Sequence, residues 1–268
     1  MKLEVLIATM HQKDRCLLNQ MNIQSDAVVV NQCDNDHIEC FDYCGHHVLW
    51  INSTERGLSR SRNMAMKRAS ADICVFADDD IRYYDGYPSA ILNAFLQLPD
   101  SEILTFNINT SGKHQSIVPI KKVRKAPRNK YYGSIRLAFR RQPVVDARLR
   151  FHEEFGAGAI YRSGEESLFL REARNAGLSV YENPHYIADV DYSSSSWFEG
   201  YTEKYYFDKG AFLAAAYGNL AIIYSAYFLL QSMRISKLPV WSVYRAMRKG
   251  MKAYRYEQQS SARSCNCQ

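Results

Sequence analysis

The first hundred residues of the chain alternate short apolar runs with stretches of helical spacing. Four runs are rich in branched residues and nearly free of polar positions: 3–8, 27–30, 48–51 and 73–77. Such runs are typical of strands that are buried on both faces of a parallel sheet. Residues 14–23 and 59–69 have helical periodicity, and Ser59 is the predicted N-cap of the second helix. This alternation predicts a layered α/β domain.

The pattern also predicts how the chain divides into regions. A further strand is expected at 103–108, and a later helix is expected to end at Gly177. We predict an α/β domain over 1–209, a helical extension over 210–257 and a disordered tail over 258–268.

The composition narrows the class of protein. The chain has 268 residues, of which 47% are apolar, and a formal net charge of +6. This apolar content excludes a mainly disordered chain. The seven cysteines are irregularly spaced, and the first residues do not have the charge pattern of a secretory signal. We therefore expect a reduced, cytoplasmic protein without a disulfide framework.

The positive charge is concentrated in two segments. Residues 121–150 hold eleven basic residues and one acidic residue, and residues 234–255 hold seven basic residues and no acidic one. Such segments favour anionic partners, for example phosphates or lipid head groups. The alternative is that both are ordinary solvated surfaces.

Three consecutive aspartates, Asp78, Asp79 and Asp80, follow the apolar run 73–77 directly. Adjacent carboxylates repel one another and resist desolvation, so at the end of a buried strand they favour a bound cation. Ligands of open α/β sheets bind beyond the carboxyl ends of the strands, which is where this triplet is expected to lie. Oxygen ligands of this kind suit Mg²⁺ or Mn²⁺. An acidic turn after an edge strand is the alternative.

Two further stretches have candidate chemistry. In RGLSRSRN, residues 56–63, a glycine before a helix start and three arginines could receive phosphate oxygens, or could be an ordinary cap with solvated arginines. In Ser163–Glu166, Glu166 has the spacing of a capping box, but a carboxylate at a rigid helix start could equally be a general base. The sequence leaves both pairs of alternatives open.

Together these stretches resemble the family 2 glycosyltransferases with the GT-A fold. The residues that carry the likeness are, in chain order, RGLSRSRN, ICVFADDDIRY and RFHEEFGAGAIYRSGEESLFLREARNAG. The resemblance covers about 3–197 and is strongest to enzymes of bacterial capsular polysaccharide and lipopolysaccharide synthesis. It implies a Rossmann-like, mostly parallel mixed sheet flanked by helices. It also implies metal-dependent, inverting transfer of a sugar from a nucleotide-diphosphate donor, expected to be UDP-linked, to a hydroxyl group.

The resemblance also implies roles for individual residues. Glu166 would be the catalytic base, with Glu165 as the alternative, although the family usually has an aspartate there. Many members supply a late histidine to the metal; here Asp191 stands near that position, and His185 is the competing candidate. Donor binding is implied for Thr9, Asp34, Arg62, Asn63, Asp78 and Asp79. Coordination of Mn²⁺ or Mg²⁺ is implied for Asp78, Asp80 and Asp191. Sugar binding is implied for Gly156, Gly158 and Trp197.

The C-terminal region has two features of membrane-associated proteins. Residues 210–233 contain no charged residue and are long enough to span a bilayer. A span would, however, place the positive tail on the outer side of the membrane. Beyond it, Val240, Tyr244, Met247, Met251 and Tyr254 recur at helical spacing with basic residues on other faces, and Trp241 adds an aromatic anchor.

We therefore predict that the helical extension over 210–257 attaches the protein peripherally to the anionic inner face of the cell membrane. Residues 210–233 would pack on the catalytic domain or lie shallowly in lipid. A wholly soluble helical cap is the alternative. The expected acceptor is a glycan or a polyprenyl-linked glycan, and no nucleic-acid partner is expected. The competing functions are a metal-dependent nucleic-acid-binding protein or nuclease, and an inactive nucleotide-binding module.

Overall fold

The computed structural model describes residues 1–110, 121–128, 130–191 and 200–265, with side chains as far as residue 260. The described residues form ten strands and eight α-helices. The strands are β1 (Leu3–Met10), β2 (Asp26–Gln32), β3 (His37–Tyr43), β4 (His46–Ser53), β5 (Ile73–Asp78), β6 (Ile81–Tyr83), β7 (Ile103–Thr110), β8 (Arg124–Lys125), β9 (Leu137–Arg140) and β10 (Val180–Val190). The helices are α1 (Cys16–Gln20), α2 (Leu58–Arg68), α3 (Tyr87–Gln97), α4 (Arg141–Asp146), α5 (Glu165–Asn175), α6 (Glu203–Tyr217), α7 (Ala221–Ile235) and α8 (Val240–Cys265).

All ten strands belong to one mixed sheet with the order β3-β4-β2-β1-β5-β9-β7-β10-β6, and β8 pairs with β10. Strand β1 is parallel to both β2 and β5, and β2 is parallel to β4. In this register Thr9 lies opposite Asn31, Asn31 lies opposite Asn52, and Ala8 lies opposite Asp78. The carboxyl ends of four strands therefore meet at one edge of the sheet, as predicted.

The core lies on both faces of the sheet. Along β1, Val5 and Ile7 pack into one hydrophobic cluster, whereas Leu6 packs into the cluster on the opposite face. Because the side chains of β1 are buried on both faces of the sheet, its sequence is almost continuously apolar. The second cluster also contains the stacked rings of Phe151 and Phe169, whose centroids are 4.6 Å apart. The predicted α/β layering is confirmed.

Several boundaries differ from the sequence prediction. The hairpin of β3 and β4 was not predicted, because the alternating, half-exposed positions of β3 give only a weak apolar signal. Helix α1 is shorter than predicted because it begins only at Cys16, whose N–H donates to Asp14. Ser59 is not the N-cap of α2. Gly57 takes that position with φ +118°, and the Ser59 hydroxyl donates to the Phe155 carbonyl.

The C-terminal helices form a third hydrophobic cluster on the domain. Helices α6 and α8 cross at two glycines: a Cβ atom on Gly210 would lie 2.1 Å from the Met247 carbonyl oxygen, and one on Gly250 would lie 1.9 Å from that of Phe207. The apolar side of α8 is buried in this contact, including Met247 and Met251. Most of the apolar side of α8 therefore packs on the protein and is not free to contact lipid, whereas attachment of the extension to a membrane stays a prediction. Helix α8 also continues to Cys265, past the predicted boundary at residue 257.

Candidate active site

The three aspartates at the end of β5 have three different environments. Asp78 accepts hydrogen bonds from Arg62 Nη2 at 2.9 and 3.0 Å. Asp79 accepts one from the Thr9 hydroxyl at 2.6 Å. Asp80 is half-buried, and its Oδ1 atom is buried with no hydrogen-bond partner in the described part of the chain. Only Asp80 is thus left with an unsatisfied buried oxygen.

A polar network joins the ends of the neighbouring strands to this triplet. The Gln12 side chain donates to Thr9 Oγ1 at 3.0 Å, and its backbone N–H donates to Asn31 Oδ1 at 3.0 Å. Asn31 in turn donates to Asn52 Oδ1 at 2.9 Å. Gln12, Asn31 and Asn52 are not among the site residues predicted from the sequence. The available signal was that Asn31 and Asn52 directly follow the apolar runs at 27–30 and 48–51.

Arg62 lies at the centre of the site. It projects from α2, is only 1% exposed, and approaches Glu165 Oε1 at 3.5 Å and Glu166 Oε1 at 3.8 Å in addition to Asp78. Burial opposes its charge, but Asp78, Glu166 and Glu165 together hold the pKa of Arg62 above its usual value. One guanidinium therefore joins the end of β5 to the start of α5.

The two glutamates at the start of α5 differ in accessibility. Glu165 is 5% exposed, and its Oε2 atom has no hydrogen-bond partner among the described residues. Burial, reinforced by the charge of Glu166, raises the pKa of Glu165 to about 8. The Glu166 side chain is 29% exposed and accepts hydrogen bonds from the Ser134 N–H and hydroxyl, both at 3.3 Å. Only Glu166 therefore combines access to solvent with a fixed orientation.

The capping-box explanation for Glu166 does not hold in the structure. The N-cap of α5 is Gly164, with φ +117°, and no side chain caps the helix. Ser163 thus lies outside the cap. The carboxylate of Glu166 instead accepts hydrogen bonds from Ser134, which lies on a separate segment. Glu166 is therefore available for a role other than helix capping.

The predicted sugar-binding glycines pack against this cluster. Gly156 has φ +107°, and a Cβ atom there would lie 3.2 Å from Cδ of Glu165 and 3.1 Å from the Ser59 hydroxyl. A Cβ atom on Gly158, at φ +79°, would lie 3.3 Å from Cα of Gly57. The glycines thus let this loop lie directly over Glu165 and the start of α2. Their contact with a sugar stays a prediction.

The start of α2 is not the open phosphate cradle that the sequence suggested. The Gly57 N–H donates to Gln32 Oε1 at 2.7 Å, and the Leu58 N–H donates to the Ala157 carbonyl at 3.0 Å. Arg56 bonds the exposed Asp34 at 2.7 Å as well as three backbone carbonyls. These groups therefore hold neighbouring loops together.

Asn63 also has a role inside the protein. Its amide donates to the Phe151 carbonyl and accepts from the Phe151 N–H, at 2.9 and 2.8 Å. Both the oxygen and the nitrogen of the Asn63 amide are thus engaged within the protein, and its contact with a donor stays a prediction. Asn63 fixes the segment that places Phe151 beside the Arg62 guanidinium, which lies 5.4 Å from the centre of that ring.

Of the two late metal-ligand candidates, the structure brings Asp191 to the triplet. The Asp191 N–H donates to the Asp80 carbonyl at 3.2 Å. His185 is exposed and lies six residues earlier on β10, roughly 20 Å along the strand. Trp197 and the serines at 193–196 lie outside the described residues.

The donor set near Asp80 fits a divalent cation only in part. Burial, together with the charges of Asp78 and Asp79 and a smaller contribution from Asp191, raises the pKa of Asp80 to about 6. A bound cation would relieve this repulsion and satisfy the unpartnered Oδ1. Asp78, predicted as a ligand, is held by Arg62 instead. Within the described ranges, no three His, Cys, Asp or Glu side chains are grouped so that they alone could hold a metal.

A cavity of about 460 Å³ lies beside the 156–158 loop. Its lining contains Gly158 but neither the acidic triplet nor Glu166, and it includes Arg56, Arg60, Arg150 and His152. The acidic triplet and Glu166 are therefore outside this cavity.

The arrangement can be compared with known proteins. Comparison with curated protein sequences gives no match. Among solved structures, S. aureus TarS 1-349 in complex with UDP-GlcNAc matches with a TM-score of 0.61 at 17% identity, covering 98% of this chain and 92% of that chain. The complex of the same protein with UDP matches with a TM-score of 0.60 at 16% identity, with the same coverage of both chains. At this identity the likeness establishes the fold, and the predicted GT-A fold is confirmed.

The family is established by a separate finding. The model of the family described as "Glycosyl transferase family 2" matches residues 15–152, which is just over half of the chain. The matched region includes α2 with Arg62, strand β5 and the acidic triplet. The chain therefore belongs to glycosyl transferase family 2.

Proposed function

We propose that this glycosyltransferase inverts the configuration of a sugar while moving it from a UDP-linked donor to a hydroxyl group of an acceptor. The family assignment supports sugar transfer. TarS, a protein of the same fold, was crystallised in complex with UDP and with UDP-GlcNAc. The observation that carries the proposal is the position of Arg62. This residue contacts Asp78, on the side proposed for the donor, and Glu166, on the side proposed for the acceptor.

The donor side is formed by the carboxyl ends of the central strands. Thr9 and Asp79 form one pair there, and Asp34 lies at the exposed rim where it could meet the base. Asp80 and Asp191 would hold Mn²⁺ or Mg²⁺, with the remaining ligands from the donor phosphates and water. When bound, the cation would stabilise the negative charge that develops on the departing diphosphate.

The acceptor side is assigned to Glu166. Its carboxylate is partly exposed, and two hydrogen bonds from Ser134 fix its direction. It would accept the proton of the acceptor hydroxyl as that oxygen attacks the anomeric carbon from the face opposite the diphosphate. Attack from the opposite face in one displacement inverts the anomeric centre. A positioned base of this kind contributes roughly 10²- to 10⁴-fold to the rate.

Glu165 is assigned a supporting role. With its pKa raised to about 8, it holds a proton at neutral pH and is a poor base there. Its buried position under Gly156 also separates it from an incoming acceptor. In this account Glu165 keeps Arg62 in place between the two sides of the site.

We further propose that the acceptor is a glycan, either free or polyprenyl-linked, in the synthesis of a bacterial surface polysaccharide. This step rests on the resemblance of the sequence motifs to that branch of the family. UDP-GlcNAc is the first donor to test, because it is the donor bound in the TarS structure.

The test is donor binding and donor hydrolysis, with water replacing the unknown acceptor. UDP should bind more tightly with Mn²⁺ than without it, and UDP-GlcNAc should release UDP slowly. Asp80→Asn should weaken the Mn²⁺-dependent part of binding by about tenfold or more. Asp100→Asn, an exposed aspartate away from the site, is the matched control and should change nothing.

The outcomes separate the competing functions. Tight UDP binding without release from any of a panel of UDP-sugars would indicate an inactive binding module. Cleavage of DNA or RNA with Mn²⁺, without UDP binding, would indicate a nuclease. Either result would overturn the proposal.

A further inference from the structure

Helix α7 has its large apolar side chains on the outside of the protein. Its buried positions are small, Ala221, Ser225 and Ser232, each at most 3% exposed. The outer face of α7, defined here as five large side chains, is 46–68% exposed: Ile222, Ile223, Tyr227, Leu230 and Met233. This distribution is the reverse of a surface helix in water, where the apolar stripe faces the core.

The inward serines do not require water. The Ser225 hydroxyl donates to the Ile222 carbonyl at 2.6 Å, and the Ser232 hydroxyl donates to the Leu229 carbonyl at 2.7 Å. Each polar group is therefore satisfied within the helix itself. The small inward residues allow α7 to pack closely on the protein while the outer face needs a separate apolar partner.

The length of α7 favours a position on a bilayer surface over a span. In the described residues, the stretch Glu203–Ile235 is long and apolar enough to cross a membrane, and 28% of its most apolar window is buried. Its first half, α6, is packed against α8, and α6 ends at Gly218, where φ is +53°. Helix α7 alone has 15 residues, or about 22 Å, whereas the hydrocarbon core is about 30 Å thick.

The surrounding charge is positive. The seven basic residues between Arg234 and Arg255 have no acidic residue among them, and Arg234, Lys237 and Arg245 are exposed. Trp241, at the start of α8, is 69% exposed, and tryptophan favours the boundary between lipid and water. A second copy of the chain would bring the same positive charges together, whereas an anionic lipid surface would neutralise them.

A cationic pocket lies next to the first turn of α7. The pocket has a volume of about 230 Å³, and its described lining is free of acidic residues: Arg128, Tyr131, Arg171, Arg174 and Asn175. The Arg171 guanidinium lies 4.4 Å from the centre of the Tyr217 ring. Tyr217 stacks on Tyr224 of α7 at 3.7 Å. The stacked rings of Tyr217 and Tyr224 thus connect the pocket to α7, so a phosphate group in the pocket would lie near this helix.

We propose that the outer face of α7 inserts into the surface of an anionic phospholipid bilayer, and that Arg128 and Arg171 of the pocket receive a lipid phosphate, while Arg174 holds the pocket wall through hydrogen bonds to three backbone carbonyls. Insertion places the apolar side chains in the acyl region and the flanking basic residues at the head groups. This attachment does not depend on the donor or on the proposed reaction. It assigns the membrane contact predicted for the helical extension to α7 and not to the buried side of α8.

The experiment is sedimentation of the full chain with vesicles of phosphatidylcholine, with or without phosphatidylglycerol. We expect at least about tenfold tighter binding to the anionic vesicles. The double variant Ile223→Glu/Leu230→Glu should lose at least about tenfold of that affinity. Leu96→Glu is the matched control, because Leu96 is 65% exposed on α3, and it should bind as the wild type does. An unchanged midpoint of thermal unfolding in the absence of lipid verifies the fold of each variant.

Other outcomes would overturn the inference. Equal binding by the wild type and the double variant, or no binding to either vesicle, contradicts membrane insertion. A wild type that dimerises without lipid, and a double variant that is monomeric, would assign the outer face to a second copy. If Arg128→Gln/Arg171→Gln abolishes stabilisation by inorganic phosphate but leaves vesicle binding intact, the pocket serves a free phosphate and not a lipid.

Discussion

Two buried ionic clusters in the α/β domain have opposite balances of charge. In the Glu182 cluster, one fully buried carboxylate on β10 accepts hydrogen bonds from Arg124 at 2.6 Å, Lys130 at 2.7 Å and Tyr132 at 2.6 Å. In the Arg62 cluster, one guanidinium faces the three carboxylates of Asp78, Glu165 and Glu166. The first cluster has two cations for one carboxylate, and the second has more negative charge than its single cation can neutralise.

The pKa values follow this difference. Burial alone would raise the pKa of Glu182, but hydrogen bonds from Lys130, Tyr132 and Arg124 hold it below its usual value. Glu165, in the other cluster, is raised to about 8. A satisfied buried charge stabilises a fold, whereas an unsatisfied one costs stability and is typical of functional sites. The contrast also explains two of the basic residues at 121–150, Arg124 and Lys130, which serve the fold and not an external anion.

The largest effect is expected from Arg62→Met. Removing the guanidinium leaves the charged carboxylates of Asp78 and Glu166 without a cation beside the protonated Glu165, so the free energy of unfolding at pH 7 should fall by about 3–5 kcal/mol. Urea unfolding measures this loss. The difference from the wild type should shrink below pH 5, where the carboxylates take up protons. A variant as stable as the wild type at pH 7 would contradict the charge balance described for this cluster.

A smaller loss is expected from Glu182→Gln in the other cluster. The substitution removes the buried charge but leaves Arg124 and Lys130 partly exposed to water, so the expected cost is about 1–3 kcal/mol of unfolding free energy. Hydrolysis of UDP-GlcNAc per folded molecule should stay at the wild-type value. Loss of that activity in well-folded protein would mean that the two clusters are not functionally distinct.

The two clusters should also respond to pH in opposite directions. Between its ordinary pKa of 4.5 and about 8, Glu165 is ionised in the unfolded chain and protonated in the folded one, so stability falls as pH rises through this interval. For Glu182 the folded pKa is the lower one, so its contribution is present above pH 4.5 and is lost on acidification. Thermal unfolding from pH 4 to 9 should show Glu165→Gln gaining stability over the wild type towards pH 8. If the stability difference between Glu165→Gln and the wild type stayed constant from pH 4 to 9, the raised pKa of Glu165 would be refuted.

The smallest effect is expected from Ser134→Ala. The variant removes the hydroxyl hydrogen bond to Glu166 and keeps the one from the backbone N–H. Loss of one neutral donor to a partly exposed carboxylate corresponds to about 1 kcal/mol, or roughly a fivefold lower rate of UDP release. Donor affinity measured by calorimetry should not change. Ser101→Ala, a buried serine outside the site, is the matched control.

The central strands and the acidic end of β5 could be predicted because periodicity and position alone determine them. Strands buried on both faces have a distinctive apolar pattern, and parallel strands bring their carboxyl ends together. The difference in accessibility between Glu165 and Glu166 could not be predicted. It depends on Gly156 covering one carboxylate and Ser134 reaching the other, and both contacts join segments far apart in the sequence.

The C-terminal helices show the same limit. The pattern of α8 correctly indicated an apolar side, but it did not say whether lipid or another helix covers that side. The close crossing at Gly210 and Gly250 shows that α6 covers the apolar side of α8. In α7 the decisive feature is the exposure of residues such as Ile223 and Leu230, which only the packing reveals.

Glu166 is proposed as the base and Glu165 as a supporting residue, and a side-by-side kinetic comparison of Glu165→Gln and Glu166→Gln separates these two roles. With UDP-GlcNAc or the donor found in the panel, UDP release by Glu166→Gln should fall about 10²-fold or more while donor affinity is retained. Glu165→Gln keeps a neutral side chain of the same shape, so its rate should stay within about tenfold of the wild type. A fully active Glu166→Gln beside an inactive Glu165→Gln would contradict the account.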